Sequence, residues 1–173
     1  MKKSKKVGRN NNWRFYEHNK PVTNWKKIRG KWYYFNKDGI MLSNTTFDSY
    51  LLTKNGAMPT NGWAKIDQNW YYATSSGKLS QDKWEKINGS WYYFDKISIM
   101  SSNQWQGNYY LTSSGAMADN EWIFDKNYNS WFFLKRGGMY ASKEWIGAYY
   151  LKAGGYMAKK DWIYDDTYKA ATT

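Results

Sequence analysis

The chain has 173 residues, which is the size of one ordinary domain, and carries a formal net charge of +12 at neutral pH. It contains no cysteine and one histidine, so disulfide scaffolds, thiolate metal sites and histidine-rich metal centres are excluded. Aliphatic residues are few, but 12 Trp, 17 Tyr and 7 Phe supply 21% of the chain. Each such ring can bury roughly 150–250 Å², so the chain can fold around aromatic side chains.

The N-terminal segment is basic and polar. Residues 1–12 read MKKSKKVGRNNN, without the apolar stretch of a secretory signal. We expect residues 1–12 to be solvated and mostly disordered, and we place a single folded domain at residues 13–173. No apolar run approaches the roughly 18 residues of a membrane-spanning helix, so no membrane span is expected. His18 lies in a polar stretch and is expected at the surface.

An aromatic motif recurs along the rest of the chain. Long units contain GKWYYFNKDGIM or GSWYYFDKISIM, and short units contain GNYYLTSSGAM. The first residue of each aromatic pair is followed by Met or Leu 8 positions later, as in Tyr92–Met100, or 7 positions later in Phe132–Met139. Units repeated at this spacing establish an internal repeat. The leading aromatic residues of the units are Trp25, Phe47, Trp63, Trp84, Trp105, Trp122, Trp145 and Trp162.

Each unit is predicted to form a β-hairpin. Asn88-Gly89 favours a type I′ turn, whereas Gly107-Asn108 suits a type II′ turn with glycine first. Counting outward from Asn88-Gly89 places Trp84 opposite Tyr93. The same register is predicted for shorter hairpins and for a four-residue loop, in the pairs Trp63–Tyr72, Trp105–Tyr110, Trp122–Phe133 and Trp145–Tyr150.

The two faces of each hairpin carry different residues, because side chains alternate along a strand. Trp84, Trp91 and Tyr93 share one face, and Tyr92 and Phe94 share the other. A two-stranded hairpin alone is marginally stable in water, but hairpins that bury aromatic faces against their neighbours form a solenoid. The sequence therefore predicts an all-β hairpin solenoid of seven to eight repeats in which long and short hairpins alternate.

The recurring set on one face is two Trp and a Tyr, with a Met available from the next turn. Electron-rich rings around a dry cavity attract a cation without hydrogen-bonding it, and they suit a quaternary ammonium group such as choline. An ordinary ammonium would lose more hydration, and Met adds a polarizable lining. The alternative is that these rings are simply the core.

The units quoted above resemble the choline-binding repeats of pneumococcal choline-binding proteins and related cell-wall hydrolases. The resemblance covers residues 24–165 and, in part, Trp13–Tyr16. It implies a left-handed β-hairpin solenoid that binds choline on teichoic acids. It also implies a site made of two Trp from one hairpin and a Tyr from the following hairpin, often with a Met.

Carried onto this chain, the resemblance predicts three complete sites and one weak site. The complete sites are Trp63, Trp70, Tyr93 and Met100; Trp84, Trp91, Tyr110 and Met117; and Trp122, Trp131, Tyr150 and Met157. In the weak site Trp25 and Trp32 must use Tyr50, because Leu51 occupies the second aromatic position. Sites headed by Phe47, Trp105 and Trp145 are doubtful, because the second Trp is replaced by Ser49, Asn108 and Ala148.

The function implied by the resemblance is attachment rather than catalysis. The ligand would be choline or phosphocholine on teichoic or lipoteichoic acid, outside the cell at a bacterial surface, and no cofactor is implied. A host or bacterial protein partner is left open. The module is expected to be a monomer or a choline-promoted dimer. We expect no export signal within this sequence.

Rival functions find less support in the sequence. The 14 acidic residues offer no unique carboxylate pair of the kind used in glycoside hydrolysis, so no enzyme is expected. Nucleic-acid binding would favour a basic stripe, but 5 of the 26 cationic residues lie in residues 1–12 and the others are spread over the repeats, so no nucleic acid is expected as a partner. A glucan-binding or host-receptor-binding aromatic repeat stays open as the alternative function.

Overall fold

The computed structural model describes residues 12–160 and 162–163. Within them all regular secondary structure is β, and it consists of eight antiparallel two-stranded hairpins with no helix. The predicted all-β hairpin-repeat class is therefore confirmed, and none of the described residues forms a helix that could cross a membrane. Apart from Asn12, the segment predicted to be disordered lies outside the described residues.

The chain divides into two compact units, which meet in sequence at Ser101 and Ser102. A single solenoid domain over residues 13–173 stays a prediction. The first unit contains hairpins 1 to 5, formed by β1 Tyr16–Glu17 with β2 Lys20–Pro21, β3 Asn24–Ile28 with β4 Lys31–Phe35, β5 Thr45–Phe47 with β6 Tyr50–Leu52, β7 Gly62–Ile66 with β8 Asn69–Ala73, and β9 Lys83–Ile87 with β10 Ser90–Phe94. The second contains hairpins 6 to 8, formed by β11 Gln104–Gln106 with β12 Tyr109–Leu111, β13 Glu121–Asp125 with β14 Ser130–Leu134, and β15 Glu144–Ile146 with β16 Tyr149–Leu151.

The predicted strand register is confirmed in long and short hairpins. Trp84 lies opposite Tyr93 in hairpin 5, and Trp122 lies opposite Phe133 in hairpin 7 despite its longer loop. The turn types also agree with the sequence. Asn88 and Gly89 both have positive φ, of 50° and 90°, as a type I′ turn requires.

Phe47 is not the leading residue of its unit, contrary to the sequence prediction. Thr46 lies opposite Leu51, and Phe47 lies opposite Tyr50. Phe47 therefore follows the leading position by one residue. Because side chains alternate, it points to the opposite face of hairpin 3 and contacts Tyr34 of hairpin 2, with ring centroids 4.1 Å apart.

Successive hairpins within a unit are joined by backbone hydrogen bonds. The residue at the Met position after one hairpin donates its N–H to the carbonyl of the second Trp in the hairpin before it. The N···O distances are 2.8 Å for Met58 to Trp32, 2.8 Å for Met100 to Trp70, 3.1 Å for Met157 to Trp131 and 2.8 Å for Met41 to Trp13. Trp13 therefore makes the same backbone contact as a second Trp of a hairpin.

In each unit the core is made of side chains at equivalent positions of the hairpins. The last residue of each second strand from hairpin 2 onward is at most 2% exposed; these residues are Phe35, Leu52, Ala73, Phe94, Leu111, Leu134 and Leu151. The turns that follow need glycine. A Cβ on Gly77, which has φ +86°, would lie 2.5 Å from the Met58 methyl carbon, and Gly138 has the same relation to Met117. The Met side chain of one repeat therefore packs directly against the glycine of the turn in the next repeat.

Candidate functional site

The second unit contains a cavity of about 400 Å³ lined by Trp122, Trp131, Tyr149 and Met157. The two Trp come from the paired strands of hairpin 7, and Tyr149 comes from β16 of hairpin 8. The Trp122 and Tyr149 ring centroids are 5.5 Å apart at an interplanar angle of 76°. Trp131 is 40% exposed, so its ring stays accessible from solvent.

The chemistry of this cavity is that of a cation cage. Its walls are three aromatic rings and one thioether, and no carboxylate of the described residues lines it. The faces of aromatic rings are electron-rich, so rings that line a cavity attract a cation without a hydrogen-bond acceptor. A volume of about 400 Å³ lies in the range of small-molecule sites. The arrangement therefore suits a small organic cation with a methylated, weakly hydrated head.

A related arrangement occurs in the first unit between hairpins 4 and 5. Trp63 lies 6.2 Å from Trp70 at 88°, and 4.8 Å from Tyr92 at 73°. The Met100 backbone is bonded to Trp70, which brings this methionine beside the same rings. Phe94 lies 5.7 Å from Trp63 and forms the buried floor. Two Trp, one Tyr and a Met are thus assembled from two consecutive hairpins.

The weak predicted set between hairpins 2 and 3 is brought together in part. Trp25 and Tyr50 are 5.1 Å apart at 70°. Trp32 lines a separate pocket of about 320 Å³ with Met58. That pocket is more polar, because Thr53 and Asn55 also line it. This set therefore contains the Trp–Tyr ring pair of a cage, but the pocket beside its second Trp is lined by polar residues as well.

In these two clusters the ring beside the preceding hairpin's Trp is the first residue of an aromatic pair, Tyr92 or Tyr149, rather than the predicted Tyr93 or Tyr150. Tyr93 packs against Trp84 of its own hairpin at 5.5 Å and donates its O–H to Asp82 Oδ1 at 2.7 Å, which raises the pKa of Tyr93. Tyr150 packs in the same way against Trp145 at 5.2 Å. Alternation along the strand turns the second Tyr away from the preceding hairpin.

The remaining predicted set is divided between the two units. Trp84 and Trp91 belong to the first unit, whereas Tyr110 and Met117 belong to the second. Within its own unit Tyr110 is buried in a hydrophobic cluster and lies 5.1 Å from Trp105, on the face that it shares with that Trp. Tyr110 is therefore corrected to a core residue. The assignment of Trp84, Trp91 and Met117 to a choline site stays a prediction.

The interface headed by Trp105 is closed rather than hollow. Its indole N–H donates to Asp125 Oδ2 at 2.7 Å, and Asp125 is buried. The ring lies 5.0 Å from Phe132 and 5.9 Å from Tyr140, so aromatic side chains occupy the space beside it. Burial also raises the pKa of the Tyr110 phenol, with a smaller contribution from Asp125. Trp105 is thus part of the core.

Sequence reasoning missed Tyr92, Tyr149 and Met58 as members of these clusters. A usable signal was present, because the eight-residue spacing to the Met position starts at the first residue of each pair. Tyr92–Met100 and Tyr149–Met157 are therefore linked walls of one cage each.

In this fold two Trp of one hairpin and a Tyr of the next hairpin enclose a pocket. Such an arrangement is that of a binding module built from repeats. Models of the choline-binding repeat match residues 22–63 and 99–134. A model of the putative cell wall binding repeat matches residues 61–79 and 82–96. The chain belongs to the family of choline-binding-repeat proteins.

Solved structures agree with this membership. The modular autolysin LytC from Streptococcus pneumoniae is 34% identical, with a TM-score of 0.73, over 91% of this chain and 38% of that one. LytC in complex with a synthetic peptidoglycan ligand gives a TM-score of 0.74 at the same identity. Choline binding protein F from Streptococcus pneumoniae, 20% identical over 91% of this chain and 58% of its own, has the same fold, with a TM-score of 0.68. This chain spans well under half of LytC. No curated protein sequence matches it.

Proposed function

We propose that this chain is a non-catalytic module that binds choline groups on the teichoic or lipoteichoic acid of a bacterial cell wall, at the outer surface of the cell. The observation that carries the proposal is the cavity between hairpins 7 and 8, walled by Trp122, Trp131, Tyr149 and Met157. Family membership supports choline as the cation. None of the described residues gives the cavity an acidic wall, which favours a quaternary ammonium over an ordinary one.

Repetition strengthens the attachment. One partly exposed cage is expected to hold a choline group only weakly, because each ring contributes roughly 0.5–2 kcal/mol. A wall polymer presents many choline groups, so a second cage binds at the high effective concentration set by the polymer. The proposal therefore predicts much tighter retention on a choline-bearing polymer than in solutions of free choline.

The experiment removes one cage wall and compares it with a matched ring outside the cage. Tyr149 is 55% exposed and lines the cavity, whereas Tyr128 is 53% exposed and does not line it. Tyr149→Ala should weaken choline at one site by roughly 2- to 30-fold and lower the calorimetric stoichiometry by about one. Tyr128→Ala should leave both unchanged. Equal effects of the two substitutions would contradict the cage.

A second measurement tests the ligand class. The full chain should be retained on a tertiary-amine resin that mimics choline, and free choline should elute it. α-Glucan oligomers should neither elute the chain nor raise its melting temperature. Elution by glucan with no effect of choline would replace the proposal with the glucan-binding alternative.

A further inference from the structure

One position beside the cages differs in charge between repeats. It is the residue paired across the hairpin from the second Trp. This residue is Lys27 opposite Trp32, Lys65 opposite Trp70, Lys86 opposite Trp91 and Phe124 opposite Trp131. The position is the same in register, so side chains there emerge beside the second Trp on the same face.

In two hairpins the lysine lies on the indole. Lys65 Nζ is 5.3 Å from the Trp70 ring centroid, and Lys86 Nζ is 5.9 Å from that of Trp91. In hairpin 7 the equivalent contact is between two rings, because Phe124 lies 5.3 Å from Trp131. The Trp70 indole therefore already carries a cation, whereas no lysine or arginine of the described residues lies over the Trp131 indole.

Lys65 keeps its charge available. Lys26, Lys83 and Lys135 are each paired with a glutamate within 4.0 Å, but among the described residues Lys65 has no such ion pair. Lys65 is also exposed. Its positive charge is therefore directed at whatever approaches Trp70.

The consequence depends on the charge that the ligand brings. A quaternary ammonium against Trp70 and the Lys65 ammonium would both lie about 5 Å from one ring centre, hence at most about 10 Å apart, which is close to one Debye length at 0.1 M salt. The two cations repel each other. If the ligand also carries an anionic group, such as a phosphate, Lys65 attracts that group. The net interaction between the ligand and Lys65 then becomes favourable instead of repulsive.

We propose, on the basis of the function proposed above, that Lys65 makes the cage of Trp63, Trp70 and Tyr92 select phosphate esters of choline over free choline, and that Phe124 leaves the cage of Trp122, Trp131 and Tyr149 less selective. Lys65 acts through charge and does not form a wall of the cage. The two cages thus share a shape but differ in what they recognise next to the methylated head.

The test measures both cages in one molecule. The full chain, labelled with ¹⁵N, is titrated with choline and with phosphocholine at constant ionic strength, and the Trp70 and Trp131 indole N–H signals are followed. Trp→Phe substitutions assign these signals. The readout at each indole is the Kd for choline divided by the Kd for phosphocholine. A single charge at about 10 Å in a mostly aqueous setting changes this ratio by roughly 2- to 5-fold.

Lys65→Met should lower the ratio at Trp70 without changing it at Trp131, and Lys65→Arg should preserve it. Phe124→Lys should raise the ratio at Trp131 alone. An unchanged ratio at Trp70 in Lys65→Met would overturn the inference while leaving choline binding intact. If choline moved neither indole, the proposed function itself would fail. Co-sedimentation with phosphatidylcholine vesicles, but not with choline-bearing cell walls, would overturn the wall polymer as the source of the phosphate ester.

Discussion

At the scale of single residues, glycine is required for two different reasons, a positive φ and a lack of space for a Cβ atom. Gly77 combines a φ of +86° with a Cβ position 2.5 Å from the Met58 methyl carbon. Gly89 has a φ of +90° but nothing within 4 Å of its Cβ position, and Gly62 has neither constraint. A residue with a side chain is strained in its backbone at positive φ, which applies to Gly77 and Gly89. Of the three positions, only Gly77 would add a steric clash between the new Cβ and its neighbours.

The three glycines therefore predict a graded series. Gly77→Ala should lower the free energy of unfolding by more than about 1–2 kcal/mol, Gly89→Ala by about 1 kcal/mol, and Gly62→Ala by little. Urea unfolding measured by Trp fluorescence would check the order. If Gly77→Ala and Gly89→Ala were equal, the contact with Met58 would carry no energetic weight.

The buried Trp105–Asp125 hydrogen bond gives a second prediction at this scale. Trp105→Phe keeps an aromatic ring but leaves Asp125 Oδ2 without its indole donor, which should cost about 1–3 kcal/mol. Thermal unfolding measures the loss, and the choline stoichiometry should not change because this interface is filled. Trp145→Phe is the control, since Trp145 is exposed. A drop in stoichiometry with Trp105→Phe would show that this interface also binds ligand.

At the scale of elements, the hairpin register follows from the sequence, but the orientation of neighbouring hairpins does not. Turn chemistry at Asn88-Gly89 and counting outward were enough to pair Trp84 with Tyr93. The wall of the preceding cage is instead Tyr92. Two adjacent Tyr point to opposite faces, and the hairpin register alone does not say which one faces the preceding hairpin; the eight-residue spacing to the Met position is the sequence signal that distinguishes them.

The leading position of hairpin 3 illustrates the same difficulty. Aligning on aromatic residues selects Phe47, whereas the backbone pairs Thr46 with Leu51. Counting outward from Asp48-Ser49, both with positive φ, would have found this register. The closed interface at Trp105 was not predictable in this way, because it depends on Phe132, Tyr140 and Asp125 from later parts of the chain.

Hairpin 8 is linked to its neighbour by a charge pair that predicts a pH dependence. Lys135 Nζ donates to Glu144 Oε1 at 2.9 Å, and this bond lowers the pKa of Glu144. A carboxyl group with a lowered folded pKa stabilises the fold above its ordinary pKa of about 4.3 and loses that contribution as the pH falls through the folded pKa.

Glu144→Gln should therefore lower the melting temperature by a constant, small amount between pH 7 and 5, since pairs this exposed contribute less than about 1 kcal/mol. The difference from the unmodified chain should shrink below about pH 4.3. Glu121→Gln, which changes an exposed carboxylate of hairpin 7, serves as the control in thermal scans. A difference that grew on acidification would contradict the sign.

At the scale of the whole molecule, ligand and fold should be linked. A cage made by two hairpins exists only while they are stacked, so choline binds the folded chain and stabilises it by mass action. At a hundredfold excess over Kd the gain is about 2.7 kcal/mol per site. Several sites on one chain add their contributions.

The melting temperature should accordingly rise clearly in choline at tens of millimolar and much less in ethanolamine, whose ammonium retains its hydration. The rise should depend little on added salt despite the net charge of +12, because π faces rather than the basic surface hold the cation. Thermal scans at low and high salt measure both effects. Equal shifts with the two amines would identify the aromatic sets as core.

The division of each cage between two hairpins also bears on how such arrays can be lengthened or shortened by recombination. The Trp pair varies from one hairpin to the next, but the ring that contacts the preceding hairpin is each time the first residue of an aromatic pair, as at Tyr50, Tyr92, Phe132 and Tyr149. A duplication or deletion that joins two hairpins in the same register therefore places an aromatic ring beside whatever Trp pair precedes it. A new junction would therefore inherit the third ring of a cage, and it would complete the aromatic set wherever the preceding hairpin carries two Trp.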